Sequence, residues 1–190
     1  FPSWPEQNAN DNQKLVKNPI QECKSNQVKI LFAGNIGQAQ SFETLVECAK
    51  LLKDKKLVKW IILGDGRWKN ELKKLINNSN LTDDFQLIDR VPVEQMGTYF
   101  KEVDALYLSL KKNETFNKTI PGKLQTYMNS SKPIIASISG EANKIINVEG
   151  TGLSINLTPG IRHNHTNPVY TPLTKLFFEH EIVNLNLLEN

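Results

Sequence analysis

The sequence predicts a doubly wound α/β fold: a Rossmann-like parallel sheet of six strands, helices on both faces, and the first strand near the centre. Three observations carry that expectation. Strand-like and helix-like segments alternate from Val28 to Leu157 with short connections. The strand-like segments are apolar runs rather than two-fold alternations of apolar and polar residues, so both of their faces are covered. The first two runs close on glycine, at Gly34 and Gly64, as buried strands do where they turn into a loop.

Each element has its own warrant. VKILFAG (28–34) is the first buried strand. Phe42, Leu45, Val46, Ala49 and Leu52 then recur at helical spacing, with Ser41 expected to cap the helix start and Glu43 and Glu47 near its positive end. Cys48 falls on that apolar face and reads as a core thiol rather than a reactive one. LVKWIILG (57–64) is the second strand, KNELKKLINN (69–78) the second helix and DFQLID (84–89) the third strand. Pro92 opens the short helix of VEQMGTYFKEV, and DALYLSL (104–110) is the fourth strand. After a polar loop, Pro121 suits the first turn of a helix running to about Asn129. PIIASI (133–138) is the fifth strand, a helix runs from Gly140 to about Val148, and GLSINL (152–157) is the sixth strand. These elements make one domain, 27–157. Residues 1–26, with Pro2, Pro5 and Pro19, read as an extended lead-in, and 158–190 as a tail with one helix.

Composition excludes several classes. A chain of 190 residues with 39% apolar content buries one real core. No apolar run approaches the roughly 18 residues of a membrane span, and FPSWPEQNAN lacks the basic and apolar regions of a secretory leader. Cys23 and Cys48 make neither a disulfide framework nor a metal-ligand spacing. The net charge of +3 comes from lysines interleaved with acids, as in KDKKLVK and WKNELKKL. That reads as a solvated surface of a lysine- and asparagine-rich composition, not as a nucleic-acid-binding stripe. His163, His165 and His180 lie in the tail without a fourth well-spaced ligand, so no metal is expected.

Ligands of such a sheet bind outside the carboxyl ends of the strands, where the strand order reverses. Three segments there can carry chemistry. In Gly34-Asn35-Ile36-Gly37 the glycines allow a tight turn and close backbone approach to an anion; a plain strand-to-helix turn is the other reading. Gly64-Asp65-Gly66 reads first as a turn whose aspartate caps the next helix, and second as a ligand loop. In the third, Thr119 is expected to cap the helix that Pro121 begins, Gly122 leaves its first turn open, and Lys123 adds a cation within one turn. No nucleophile elbow and no Ser, His and Asp set stands out.

Taken in order, KILFAGNIGQAQSFETLVECAKLL, WIILGDG, IDRVPVEQMGTYFKEVDALYLSL, TIPGKLQTYMNSSKPIIA and GEANKIINVEGTGL resemble the nucleotide-sugar-binding domain of retaining glycosyltransferases of the GT-B fold. These are the group 1, or family 4, enzymes of bacterial polysaccharide and lipopolysaccharide biosynthesis. The likeness covers roughly residues 1–157, and FPSWPE looks like the linker between the two halves of such enzymes. The resemblance implies a donor-binding, C-terminal half that is inactive alone, and a separate N-terminal half that binds a lipid-linked acceptor. It further implies a cytoplasmic enzyme at the inner membrane face, a nucleotide-diphosphate sugar (a UDP-sugar favoured), and no metal or other cofactor. The diphosphate would lie between the loop of Gly34, Asn35, Ile36, Gly37 and Gln40 and the segment Thr119, Ile120, Pro121, Gly122 and Lys123. Gly64, Asp65 and Gly66 line its neighbourhood, and Arg90, Val91 and Met96 map to the base-binding loop. The sequence departs from the family pattern at four positions: Asn35 stands for a phosphate-binding Arg, Gln40 for Lys, and Lys118 and Thr126 for a pair of Glu. The GNIG-x-A-Q and TIP-x-K-x-Q-x-Y patterns match a subgroup with these departures. Two alternatives remain beside the transferase: a sugar-nucleotide 2-epimerase on the same fold, and a non-catalytic nucleotide-binding module.

Overall fold

The computed structural model describes Ile20, residues 27–148 and residues 152–154. Its strands are β1 (Val28–Ala33), β2 (Val58–Leu63), β3 (Phe85–Ile88), β4 (Ala105–Ser109), β5 (Ile134–Ser137) and β6 (Gly152–Ser154). They form one sheet in the order β3-β2-β1-β4-β5-β6, with every pairing parallel. This is the expected six-stranded sheet with the first strand at its centre. The chain winds outward from β1 to β3, then returns to the other side of β1 at β4, so the strand order reverses between β1 and β4.

The helices are α1 (Phe42–Leu52), α2 (Lys69–Asn78), α3 (Met96–Lys101), α4 (Glu114–Asn117), α5 (Gly122–Met128) and α6 (Glu141–Val148). Two apolar layers hold them to the sheet. On one face Phe42, Leu45, Val46 and Ala49 of α1 and Leu72 and Ile76 of α2 cover Ile30, Phe32, Trp60 and Ile62. On the other, residues of α3, α5 and α6 cover Leu31, Ala33, Ile61, Leu106 and Ile134, and Ile20 joins them. Successive strand residues thus alternate between two dry layers, which is why β2 and β4 are buried along their whole length and read as apolar runs, interrupted only by Lys59 and closed by Ser109. Burying each large aliphatic side chain contributes about 1.5–3 kcal/mol. Cys48, expected in the core, is half-buried at the border of the α1 layer, and burial pushes its thiol up to about 11.

Three local expectations change. Ser41 does not cap α1 with its side chain. A 3₁₀ turn over Gln38–Gln40 feeds the helix through Ser41 at φ 48°, and in that left-handed conformation its hydroxyl meets the Thr44 hydroxyl at 3.0 Å instead. The polar loop after β4 contains α4, whose start is capped by Asn113 accepting from the Thr115 N–H at 2.8 Å. Thr119 does not cap α5: its hydroxyl donates back to the Thr115 carbonyl at the end of α4, and Pro121 holds the cap position of α5 without a side-chain bond. The rest of the lead-in besides Ile20, with Cys23, and the histidine-bearing tail lie outside the described residues. No helix among the described residues is long and apolar enough to cross a membrane.

Candidate functional site

The loops after β1, β2 and β3 enclose an open cleft of about 490 Å³ at the carboxyl edge of the sheet. Gly34 and Asn35 line it from the first loop and Gly64, Asp65 and Gly66 from the second. Arg90, Val91 and Met96 line it from the third. These are eight of the residues singled out from the sequence. Leu63 and Val93 also line it and went unnoticed. Val93 is 79% exposed beside Pro92, an apolar side chain in a polar loop, which is the signal that could have found it.

Gly64 and Gly66 are needed for packing. Gly64 sits at φ +149°, and a Cβ there would collide with the Gly34 carbonyl; at Gly66 it would collide with the Ile36 carbonyl. The two loops approach this closely because they share backbone hydrogen bonds. Ile36 N–H donates to the Asp65 carbonyl at 2.8 Å, and Trp68 N–H donates to the Ile36 carbonyl at 3.0 Å. Ile36 itself is fully buried beneath the cleft. Asp65 does not cap α2. Its carboxylate accepts from the Gly66 N–H at 2.9 Å and lies 3.7 Å from Lys69, and Lys69 also pairs with Asp89 after β3. That lysine thereby ties the second loop to the third, and its hydrogen bond holds the Asp89 carboxyl below its usual range.

Gln40 is turned into the loop. Its side-chain oxygen accepts the Gly37 N–H at 2.9 Å, and the Asn35 amide packs against the same glycine. On the far side the loop is fixed to the end of β4: the Lys111 N–H donates to the Ala39 carbonyl at 2.8 Å, and the buried Ser109 hydroxyl donates to the Gln40 carbonyl. The first loop is therefore clamped on both sides, with the Gln40 side chain facing its own backbone and Asn35 exposed at the cleft.

The segment before and within α5 does not line the cleft, but Lys123 connects the two. Its Nζ lies 3.9 Å from the centroid of the Phe32 ring and 3.0 Å from where a Cβ on Gly34 would stand. Among the described residues two buried side-chain polar atoms have no hydrogen-bond partner, Glu43 Oε2 and Lys123 Nζ. The Glu43 carboxylate is paired through its other oxygen, 3.1 Å from Lys111. The ammonium has only the ring face, and burial pulls it down to about 8. The Phe32 ring meets Phe42 edge-on at 4.8 Å, and Phe42 stacks on Trp68 at 6.1 Å. Of the amides in residues 119–123, Thr119 N–H is taken by the Phe116 carbonyl and Pro121 has none. Those of Ile120, Gly122 and Lys123 are what this segment offers an anion. Ile120 is half-exposed, and Gly122, Lys118 and Thr126 are exposed, outside the cleft lining.

A family model described as "Glycosyl transferases group 1" matches residues 27–160. WcaI of Escherichia coli K12, named as a colanic acid biosynthesis glycosyl transferase, is 27% identical over 129 residues. That match covers 65% of this chain and 31% of WcaI, so the chain spans about a third of that relative's length. Among solved structures, WaaG, a glycosyltransferase involved in lipopolysaccharide biosynthesis, superposes with a TM-score of 0.58 at 11% identity over 70% of this chain and 34% of its own. The C-terminal domain of LpcC, a group 1 protein from Francisella tularensis, gives 0.55 at 17% identity over 82% of this chain and 75% of its own. HepE from Anabaena, solved with UDP and glucose, gives 0.54 at 16% identity over 69% of this chain and 35% of its own. At these identities the solved structures establish the shared fold.

Proposed function

The chain belongs to the group 1 glycosyl transferases, and on that premise we propose that residues 27–157 bind the nucleotide-diphosphate end of a sugar donor across the β1–β4 switch point. One observation carries the reading: a buried lysine ammonium without a hydrogen-bond partner, beside the loop where a ligand of this sheet would sit. An uncompensated buried ammonium is costly, and an anionic ligand supplies the missing partner through charge-assisted hydrogen bonds. The cleft beyond it, with Val91, Val93 and Met96 as apolar walls and Arg90 at the rim, is suited to a flat base. UDP is the nucleotide favoured, in keeping with the ligand solved in HepE.

In the whole protein an N-terminal half would hold the acceptor, a lipid-linked molecule. The reaction would transfer the sugar to an acceptor hydroxyl during cell-surface polysaccharide synthesis. This chain's part in that chemistry is to stabilise the diphosphate leaving group. Gln40 takes no direct part, because its amide is engaged with Gly37, whereas Asn35 is exposed on the cleft wall, within reach of the donor.

Calorimetric titration with UDP, UMP and uridine tests the reading. The expected dissociation constant for UDP is about 0.1–1 mM, or roughly 4–5 kcal/mol, with uridine weaker. Lys123→Ala should remove the advantage of UDP over uridine. Equal binding of all three, or an unchanged UDP affinity in Lys123→Ala, would overturn the assignment of Lys123 to the phosphates.

A further inference from the structure

In a parallel sheet the N–H and C=O of one residue point to the same neighbouring strand, and successive residues alternate between neighbours. Gly34 N–H bonds Leu63 of β2, so Ala33 faces β4. Pairing of β1 with β4 runs only through Ile30–Ala105 and Leu31–Leu106, whereas β1 and β2 pair from Val28 to Ala33. The two central strands have therefore parted by Ala33, at the point where the candidate site begins. A side chain fills that gap. The Tyr127 hydroxyl accepts from the Ala33 N–H at 2.8 Å and donates to the Ala33 carbonyl at 3.2 Å, taking the place of the absent strand pairing on both backbone groups.

Tyr127 is four residues after Lys123, one turn along the same face of α5. Between them the two side chains touch three consecutive residues of the first strand and its loop: Lys123 meets Phe32 and Gly34, and Tyr127 grips Ala33. We propose that Tyr127 is a positioning residue whose bidentate grip on Ala33 fixes α5 along β1 and so sets Lys123 over Gly34 for an incoming phosphate. The apolar contacts of α5 hold it to the sheet without fixing its register. Leu124 is fully buried and the Tyr127 ring meets Phe100 edge-on at 5.9 Å, and such contacts tolerate small slides. Two hydrogen bonds to the backbone of one residue do not. The burial of the Tyr127 hydroxyl, which raises its ionisation well above the usual phenol range, keeps it protonated and able to donate throughout.

The ligand part of this inference rests on the phosphate reading of Lys123, so the test has one arm without ligand. In the intact protein, the Lys123 ammonium is titrated by NMR in wild type and Tyr127→Phe. Release of its placement should move its midpoint up from about 8 towards the ordinary lysine value; an unmoved midpoint overturns the proposal whatever the ligand does. In the second arm Tyr127→Phe should weaken UDP about five- to tenfold and leave uridine within about twofold. Tyr127→Phe in a Lys123→Ala background should cost UDP nothing further, because the tyrosine acts through the lysine. Equal losses for UDP and uridine, or additive effects of the two substitutions, overturn it. Should Tyr127→Phe fail to fold, exchange of the Ala33 amide in wild type decides: UDP should slow it and uridine should not, and an equal response to both counts against the proposal. Failure of the phosphate reading itself shows separately, as wild-type protein that binds UDP no better than uridine while the ligand-free midpoint still moves.

Discussion

The two sides of the switch point are built on opposite principles. In the loop after β1, Gly34, Ile36 and Gly37 donate their N–H groups to the Leu63 carbonyl, the Asp65 carbonyl and the Gln40 side chain. A few ångströms away, Lys123 brings a charge to a site with an aromatic face and no hydrogen-bond acceptor. A loop whose donors are engaged internally is a scaffold: it sets a shape and leaves little for a ligand to complete. A buried cation left unpaired stores an electrostatic cost that a bound anion relieves. The comparison explains the departure at Gln40. Where the resemblance implies a cation, the Gln40 amide braces the loop, and a buried cation sits across the gap on α5, while Asn35 lines the cleft uncharged.

The scaffold side should show the largest effect on stability. Gly64→Ala places a methyl into the Gly34 carbonyl at a backbone angle that favours glycine, and should lower the unfolding free energy by about 3–5 kcal/mol in urea titrations. A mild loss would mean that the two loops slide apart easily, and that the contrast drawn here is too sharp.

On the other side, Lys123→Met should act in opposite senses on binding and on stability. UDP affinity should fall by about 1.5–3 kcal/mol by calorimetry. The ligand-free fold at pH 7 should gain about 1–2 kcal/mol, since relief of the buried ammonium outweighs loss of the ring contact. The sign in pH follows. The folded ammonium is held down to about 8 from an ordinary 10.5, so between these values the unfolded chain binds the extra proton and stability rises with pH. Wild-type stability should therefore climb across that window relative to Lys123→Met, and parallel profiles would place the ammonium in water.

Gln40→Ala should cost about 1 kcal/mol in stability, through the exposed Gly37 N–H, and leave the UDP-to-uridine affinity ratio unchanged. A change in that ratio would return Gln40 to the ligand side. The smallest effect belongs to Arg90→Ala. Arg90 is exposed at the cleft rim, and melting should stay within about 0.5 kcal/mol of wild type while uridine binding weakens a few-fold.

Most of the architecture was legible because it depends on patterns local to each segment. WIIL and ALYL are apolar throughout because both faces are covered, and Lys69–Asn78 matches its helix to the residue. What misled was chemistry that depends on a neighbour. Ser41 and Thr119 have the right type and spacing for caps, yet one is entered from a 3₁₀ turn and the other is drawn back to Thr115. Gly64 was legible as a turn but not as the seat of the Gly34 carbonyl. For Lys123 the sequence places a cation near a helix start. That its ammonium would be buried over Phe32 without a partner depends on a contact ninety-one residues distant in the chain, and no local pattern records that. Tyr127 enters the sequence reading only as the last residue of TIP-x-K-x-Q-x-Y, because the parting of β1 and β4 that employs its hydroxyl exists only in the assembled sheet.

The ring series from Trp68 through Phe42 to Phe32 ends at the Lys123 ammonium, and this gives the chain a built-in optical probe. Trp60 lies elsewhere on the same layer, between Phe85 and Tyr107, and serves as an internal reference. Indole emission responds to nearby charge and ring packing. A titration that loads or discharges the ammonium should therefore alter Trp68 emission while Trp60 stays constant, and replacing each of the three indoles, Trp4 included, by phenylalanine in turn separates the signals. Occupancy of the site could then be followed by fluorescence, with no label attached and no sugar transferred.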